Sequence, residues 1–506
     1  MVLIFPTKSW AIPAFARMYG LQCSTCHSAY PALNDQGEEF RLSGYRRFSR
    51  GEVVPITPGL KIGERLELPP VFPASVSVSF GHNYRGITNH HGDGSKNAST
   101  DPEFRKNDTS FDVNGMDIHI GAPMGPHLSA FVSFPIAGTD RREFFKSDIR
   151  TKGLNSDLGG PAVPDLAYLG VFDIFVKDLL NVKGGNYPLP LAFSPDSNRL
   201  TFFPYMVYEA HALDIFTAQP FEKFRQVGTV DPGALEEREF GLGDSQIGLQ
   251  VFGRVTPAIH KIAGLYVDYN VGLVNGSNVN PDNNKTKDTF VRLAVTYPPM
   301  EHLSLRLGGF GYYSGNTLDS RTTIPGTGDP TTGANGVHYG NRLWRVGPDI
   351  SLTLSDPIYI KLFSQVLFGR DNNLTGFGKA ATWWGGFVQA EAKPLGDGAW
   401  PIIGYIRYDW INADRYNDSG VTITDRFGNT ATGIVGPVHP RLWDTVVGMQ
   451  YYVYQNLKVT AEYRHGEKRL RPGTSSNSTG TEDVLPANQL AKTVEDAVMT
   501  GFQVAF

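Results

Sequence analysis

"ASVSVSF", residues 74–80, alternates without a fault: Ala74, Val76, Val78 and Phe80 share one parity, and three serines share the other. A period of two sends successive side chains to opposite faces of an extended strand, so this stretch has one apolar and one polar face. "HLSAFVSFPI", residues 127–136, repeats the pattern with Leu128, Ala130, Val132, Phe134 and Ile136. Beyond residue 245 it recurs in "SQIGLQVFGRV", "DTFVRLAVTYP", "RLWRVGPDISLTL", "IIGYIRYDWI" and "LKVTAEYRHG", among others. Short turns such as "PMGP", "LSDP" and "VYQN" alternate with long polar stretches near 84–110, 137–163, 313–341, 412–441 and 467–493.

Strands with one apolar face, joined alternately by short and long connections, are the habit of outer-membrane β-barrels. Composition agrees, with 56 Gly, 31 Phe and 22 Tyr in 506 residues and only 41% hydrophobic residues. A barrel faces lipid with every second residue, so a mean hydropathy of −0.24 is compatible with a membrane. The chain has no apolar run of about 18 residues, which excludes a transmembrane helix. Its net charge of −4 and lack of Lys/Arg blocks argue against nucleic acid as a partner.

The chain ends "GFQVAF", with Phe502, Val504 and Phe506 in parity, similar to the C-terminal signal of outer-membrane barrels. Eleven strands can be counted back to about residue 245, and four more lie between 72 and 176. Residues 177–244 must add an odd number if both termini are to lie in the periplasm. One gives sixteen strands and three gives eighteen. The expected fold is an all-β, antiparallel outer-membrane barrel of about 16 strands (16–18), occupying residues 66–506.

Both cysteines of the chain fall in "GLQCSTCHSAYPAL", residues 20–33. Cys23-Ser24-Thr25-Cys26-His27 has the C-x-x-C-H spacing of c-type haem attachment. Two thiols separated by two residues can form thioethers to the two vinyl groups of one porphyrin, and the next residue, His27, then meets the iron as its proximal ligand. A redox dithiol and a structural disulfide are the competing readings, although no βαβ context for a thioredoxin-like motif is present. A zinc site fails for want of a second cysteine pair or a following His pair.

In "YPALNDQGEEFRLSGYRRF" Pro31 suits a first helical turn, Leu33, Gly37 and Phe40 recur at helical spacing, and Gly44 suits a stop. Leu33 and Phe40 would pack on the haem, with Gly37 allowing its close approach. An ordinary amphipathic helix packing on protein shows the same stripe. Upstream, "MVLIFPTKSWA" ends in Ser9-Trp10-Ala11, with small residues at −3 and −1, and residues 1–11 are expected to be the remnant of an export signal.

Residues 12–46, "IPAFARMYGLQCSTCHSAYPALNDQGEEFRLSGYR", resemble the N-terminus of fused monohaem c-type cytochrome-porins of the bacterial outer membrane, a family that includes outer-membrane iron oxidases. The matching positions are Pro13, Phe15-Ala16-Arg17, Gly20, Cys23, Cys26, His27, Pro31, Leu33-Asn34, Gly37, Phe40 and Gly44-Tyr45; Gln36 departs, standing where relatives often carry an aromatic. The resemblance implies one covalent haem c in a segment spanning 12–65, and outer-membrane electron transfer. An extracellular donor such as Fe(II) would be oxidised by one electron, and a periplasmic cytochrome or other soluble carrier would receive it. A porin or transport barrel with a plugging or sensing haem, and an electron exporter, are the alternatives. A segment of this size is too small to bury a porphyrin alone, so it is expected to fold into the lumen.

For the distal position, Met18 is near in sequence, while His119 and His127 lie on the polar parity of adjacent predicted strands and should point into the lumen. His82, His90 and His91 fall at the first long loop, and His260 and His302 in short turns. Asp93, Asp101, Glu103, Asp282 and Asp371 read as solvated loop carboxylates.

Overall fold

The structure, a computed structural model, describes residues 14–48, 73–91, 105–137, 166–193, 199–209, 240–256, 264–276, 286–315, 341–373, 379–394, 402–416, 438–472 and 490–505 apart from single positions, with a few short fragments elsewhere. Residues 1–11, His260, Phe506 and the loop carboxylates Asp93, Asp101, Glu103 and Asp282 lie outside them.

Sixteen strands form a closed barrel. They are β1 Ala74–His91, β2 Arg105–Pro123, β3 Leu128–Ala137, β4 Leu166–Val171, β5 Asn181–Pro188 and β6 Ser245–Val255. Then come β7 Tyr266–Val274, β8 Asp288–Met300, β9 Leu303–Ser314, β10 Leu343–Leu354 and β11 Tyr359–Asp371. The circuit ends with β12 Ala381–Lys393, β13 Ile402–Ala413, β14 Val438–Tyr454, β15 Leu457–Pro472 and β16 Leu490–Ala505. Each strand pairs with its sequence neighbour, and β16 returns antiparallel to β1 with Phe502 opposite Phe80 and Val504 opposite Val78. Closure leaves no free sheet edge, which is what a sheet needs to stand in hydrocarbon.

The ambiguous stretch 177–244 therefore contributes one strand, β5, and the lower of the two expected counts is correct. With sixteen strands, the chain enters β1 and leaves β16 at the end of the cylinder that carries the short turns.

Period two sorts the wall as the sequence implied. On β8, Phe290, Arg292 and Ala294 are buried, whereas Val291, Leu293 and Val295 are 45%, 54% and 40% exposed on the outside. On β1, Ser77 and Ser79 are buried and Phe80 is turned outward. The outer face carries Leu307, Ile350, Leu362, Ile406, Val447 and Val459 among its exposed apolar residues, while Arg407, Asp409, Asp444, Glu462 and Glu495 are buried inside. Apolar outside and charged inside is the reverse of a water-soluble globule and the arrangement a lipid-facing cylinder requires.

The lumen is occupied. Residues 199–209, ending in the short helix Met206–Glu209, run across it as a strap, with Tyr205, Met206, Val207 and Tyr208 buried against Phe363, Phe387 and Ile411 of the wall. Arg407 Nη1 donates to Thr201 Oγ1 (2.6 Å) and to the Phe203 carbonyl (2.8 Å), and Nη2 donates to the Pro204 carbonyl (2.9 Å). Glu462 accepts from the Phe202 and Phe203 amides at 2.9 and 3.0 Å, and Asp409 accepts from the Met206 amide at 3.1 Å. Tyr205 stacks on Phe387 with ring centres 4.0 Å apart. Asp371, expected in a solvated loop, is instead buried at the end of β11, where Arg345 Nη2 donates to it at 2.8 Å.

Candidate functional site

The C-x-x-C-H motif begins in a 3-10 turn, Cys23–Thr25, after helix α1, Ala14–Tyr19. His27–Ala29 then pairs with Ala32–Leu33 in a minimal hairpin, and helix α2 follows, Asp35–Leu42. Asn34 caps α2: its Oδ1 accepts from the Gly37 amide at 2.9 Å. Its Nδ2 donates to the carbonyls of Ser24 (3.1 Å) and Thr25 (3.2 Å), and its own amide donates to the Cys26 carbonyl (3.0 Å). One side chain thus ties the start of the helix to the turn that carries both thiols. The sequence reading, which began the helix at Pro31, missed this cap, although Asn is a preferred residue before a helix; its grip on the thiol turn has no sequence signal.

Two expectations about this helix need correction. Pro31 lies in the hairpin turn and not in the first helical turn, and Leu33 belongs to the second short strand. Leu33 and Phe40 therefore do not form one helical stripe. Gly37 gives close approach to the motif's own backbone, since a Cβ there would lie 2.0 Å from the Cys26 carbonyl oxygen and 2.9 Å from Leu33 Cδ2. The stop at Gly44 is as expected: φ is +68°, the Gly44 amide donates to the Arg41 carbonyl and the Tyr45 amide to the Phe40 carbonyl. That pair of bonds closes a Schellman motif.

Phe40 is buried in an aromatic cluster with Met18, Tyr19 and Tyr45, and Phe15, Phe131 and Cys26 pack at its edge. Phe15 stacks on Tyr45 (4.5 Å), and Phe40 meets Phe15 edge-on (5.4 Å). Met18 is fully enclosed there.

The segment is tied to the barrel at the start of β1, on the inner face of β3 and in the turn after β4. Arg17 Nη2 donates to the Ala74 carbonyl (2.5 Å), Ser129 Oγ to the Gly44 carbonyl (2.6 Å), and Arg46 pairs with Asp173 (3.2 Å). Ala29 and Ala32 of the hairpin pack with Leu200 and Phe203 of the strap. The insert from the short-turn end and the strap meet inside the barrel.

His27 Nδ1 donates to the Pro31 carbonyl at 3.2 Å. That bond fixes the ring and leaves Nε2 as the nitrogen with a lone pair for a metal. Loss of water pushes the His27 pKa down to about 4, against opposing bonds to the Pro31 and Ala32 backbone, with Lys458 lowering it further. A neutral imidazole is the form that ligates. Cys23 and Cys26 are free thiols, half-buried. Desolvation raises both, and with the help of Cys23 pushes Cys26 up to about 11. A reactive dithiol needs a depressed pKa, so the environment disfavours that reading. Two neutral thiols and an imidazole oriented through Nδ1 fit the donor set of haem c.

No protein-family model matches the chain, and no curated protein does. Among solved structures it is similar to OmpT, an outer-membrane protein of Vibrio cholerae, at 11% identity and TM-score 0.41, covering 88% of this chain and 100% of that one. It is also similar to the anion-selective porin of Comamonas acidovorans, at 9% identity and TM-score 0.44 over 86% and 99%. The outer-membrane channel DcaP of Acinetobacter baumannii gives 11% and 0.42 over 89% and 100%. At such scores nothing further rests on these likenesses; the barrel is established by its own strand pairing.

Of the distal candidates, His119 points into the lumen as expected, with Nε2 3.3 Å from Ser77 Oγ and Nδ1 3.0 Å from Ser133 Oγ. Its ring stacks beside Phe131, 6.3 Å away, at the edge of the Phe40 cluster. His127 does not belong to a strand: it lies exposed in the bend before β3, where Nδ1 donates to the Phe172 carbonyl at 3.0 Å. Parity misled there because the strand stops one residue short of it. His82 faces outward on β1 beside Phe111, and His302 is an exposed turn residue 3.7 Å from Asp356. Among the described residues, no three His, Cys, Asp or Glu side chains are grouped to hold a metal ion.

Proposed function

We propose that this chain is an outer-membrane electron-transfer protein, with one haem c held by Cys23, Cys26 and His27 inside the barrel. The observation that carries this reading is the His27–Pro31 bond (3.2 Å) behind two free thiols, in a segment seated on the lumen wall. When bound, the group supplies a one-electron couple. The chain does the rest: Asn34 and Gly37 hold the thiol turn, the Pro31 carbonyl orients His27, and the aromatic cluster and strap keep water out. An extracellular donor such as Fe(II) loses one electron, becoming Fe(III), and a periplasmic cytochrome or other soluble carrier gains it. The apolar outer face supports an outer-membrane location, and the start of β1 and the end of β16, both at the short-turn end, support placing that end, with the haem segment, in the periplasm.

A transport barrel is the competing reading. The strap opposes an open pore, because charged wall residues grip its backbone and aromatic rings fill the space around it. Stopped-flow mixing of the oxidised, purified protein with Fe(II) tests the proposal: the expected result is rapid reduction at the haem band. An unreduced band together with swelling of sugar-loaded liposomes would favour transport.

A further inference from the structure

Lys458 is a buried cation whose hydrogen-bond partners are neutral. It is 5% exposed on the inner face of β15, and its Nζ donates to the Tyr30 carbonyl (2.7 Å) and approaches Gln450 Oε1 (3.4 Å). Enclosing an ammonium without a bonded anion is costly, so its position calls for an explanation. Glu462, four residues further along β15 on the same face, is engaged by the Phe202 and Phe203 amides and by Tyr405 Oη (2.7 Å). Burial, with Asp117 of β2 and Cys23 nearby, keeps the Tyr30 phenol neutral.

What Lys458 grips adjoins the haem-attachment motif. Tyr452 Oη, on β14, donates to the same Tyr30 carbonyl at 3.0 Å, and the Lys458 ammonium lies 5.3 Å from the Tyr30 ring centre. The next carbonyl along, that of Pro31, is the acceptor for His27 Nδ1. In the turn of the same hairpin, Gln455 Oε1 accepts from the Cys23 amide at 3.0 Å. The β14–β15 hairpin therefore holds the motif at both ends, at the first thiol and at the turn behind the histidine.

Resting on the haem reading above, we infer that the β14–β15 hairpin positions His27 through the Tyr30–Pro31 turn, and that the Lys458 ammonium raises the midpoint potential of the centre. Loss of an electron adds positive charge at the iron, and a fixed cation in a low-dielectric lumen opposes that. Lys458 is a positioning and tuning residue and touches no substrate.

The test compares the wild type with Lys458→Met, Lys458→Arg and Tyr452→Phe, reading covalent haem content and midpoint potential by spectroelectrochemistry. The expected result is a lowered potential in Lys458→Met, a value near wild type in Lys458→Arg, and a smaller change in Tyr452→Phe. Should Lys458→Met fail to fold, Lys458→Gln, which keeps a donor for Tyr30 but no charge, is expected to show the lowered potential. An unchanged or higher potential in the neutral variants overturns the inference while leaving the haem reading intact. A wild type without covalent haem overturns both.

Discussion

Among the described residues, the N-terminal segment and the strap both lie inside the barrel, and the balance of what secures them differs. The strap is gripped through its backbone: Arg407, Glu462 and Asp409 bond its carbonyls and amides directly, and Arg464 lies 4.0 Å over the Phe203 ring. The N-terminal segment is organised around itself, with Asn34, Gly37 and the Phe40 cluster holding the thiol turn, and the wall adds bonds around it from Ala74, Ser129, Tyr452, Gln455 and Lys458. Buried charges that grip the strap's backbone, with Thr201, Phe203 and Tyr205 packed beside them, fix a plug, whereas self-organisation around a motif makes a receptacle whose contents matter. The first arrangement closes a pore; the second prepares a cofactor site.

The sharpest way to separate the two is to remove the thiols. Cys23→Ser with Cys26→Ser is expected to abolish covalent haem completely on a stained denaturing gel, while circular dichroism still reports a folded β-barrel. Collapse of the barrel in that variant would show that the segment is structural.

Arg407→Met strikes the strap. It leaves Asp409, bonded to Arg407 Nε at 2.5 Å, as a buried charge without its partner, a change that costs about 3–5 kcal/mol. The expected result is conductance across planar bilayers where the wild type shows little, with haem content retained. A silent Arg407→Met barrel would mean that the N-terminal segment alone closes the pore.

Gly37→Ala is smaller. Its Cβ would stand 2.0 Å from the Cys26 carbonyl oxygen, so helix and thiol turn must move apart, at about 1–3 kcal/mol by the measure of overpacked cores. Reduced haem yield at normal barrel stability is expected. Asn34→Ala should cost about 1 kcal/mol as a lost helix cap, read as faster amide exchange across residues 24–42. Equal exchange in wild type and variant would remove Asn34 from the account of the turn.

The wall was legible because a period of two is a direct record of which face meets lipid: the serines of 74–80 gave the inner face and the valines the outer. The strand count could not be settled without β5, since "NVKGGNYP" has no clean alternation and Gly185, at φ +129°, lies against the Ala167 and Tyr168 backbone. The strap was invisible for a different reason. Most of its polar partners on the wall recognise main-chain carbonyls and amides, which every residue possesses, so little in "RLTFFPYMVYE" announces them. At the candidate site, spacing alone singled out the thiols and His27 for the proposal. Gly37 was legible as a place of close approach, but what approached it was the Cys26 backbone. Lys458 and Tyr452 were hidden because they reach the motif from more than 400 residues away in sequence.

The most direct measurement is intact-mass spectrometry, with peroxidase staining of the boiled, detergent-denatured band, on protein produced in cells that mature c-type cytochromes. The expected result is a chain heavier by one haem that loses the addition when Cys23 and Cys26 are replaced. A chain of unmodified mass and no colour, with both thiols free or joined to each other, would contradict the haem reading and leave a plugged barrel whose purpose lies elsewhere.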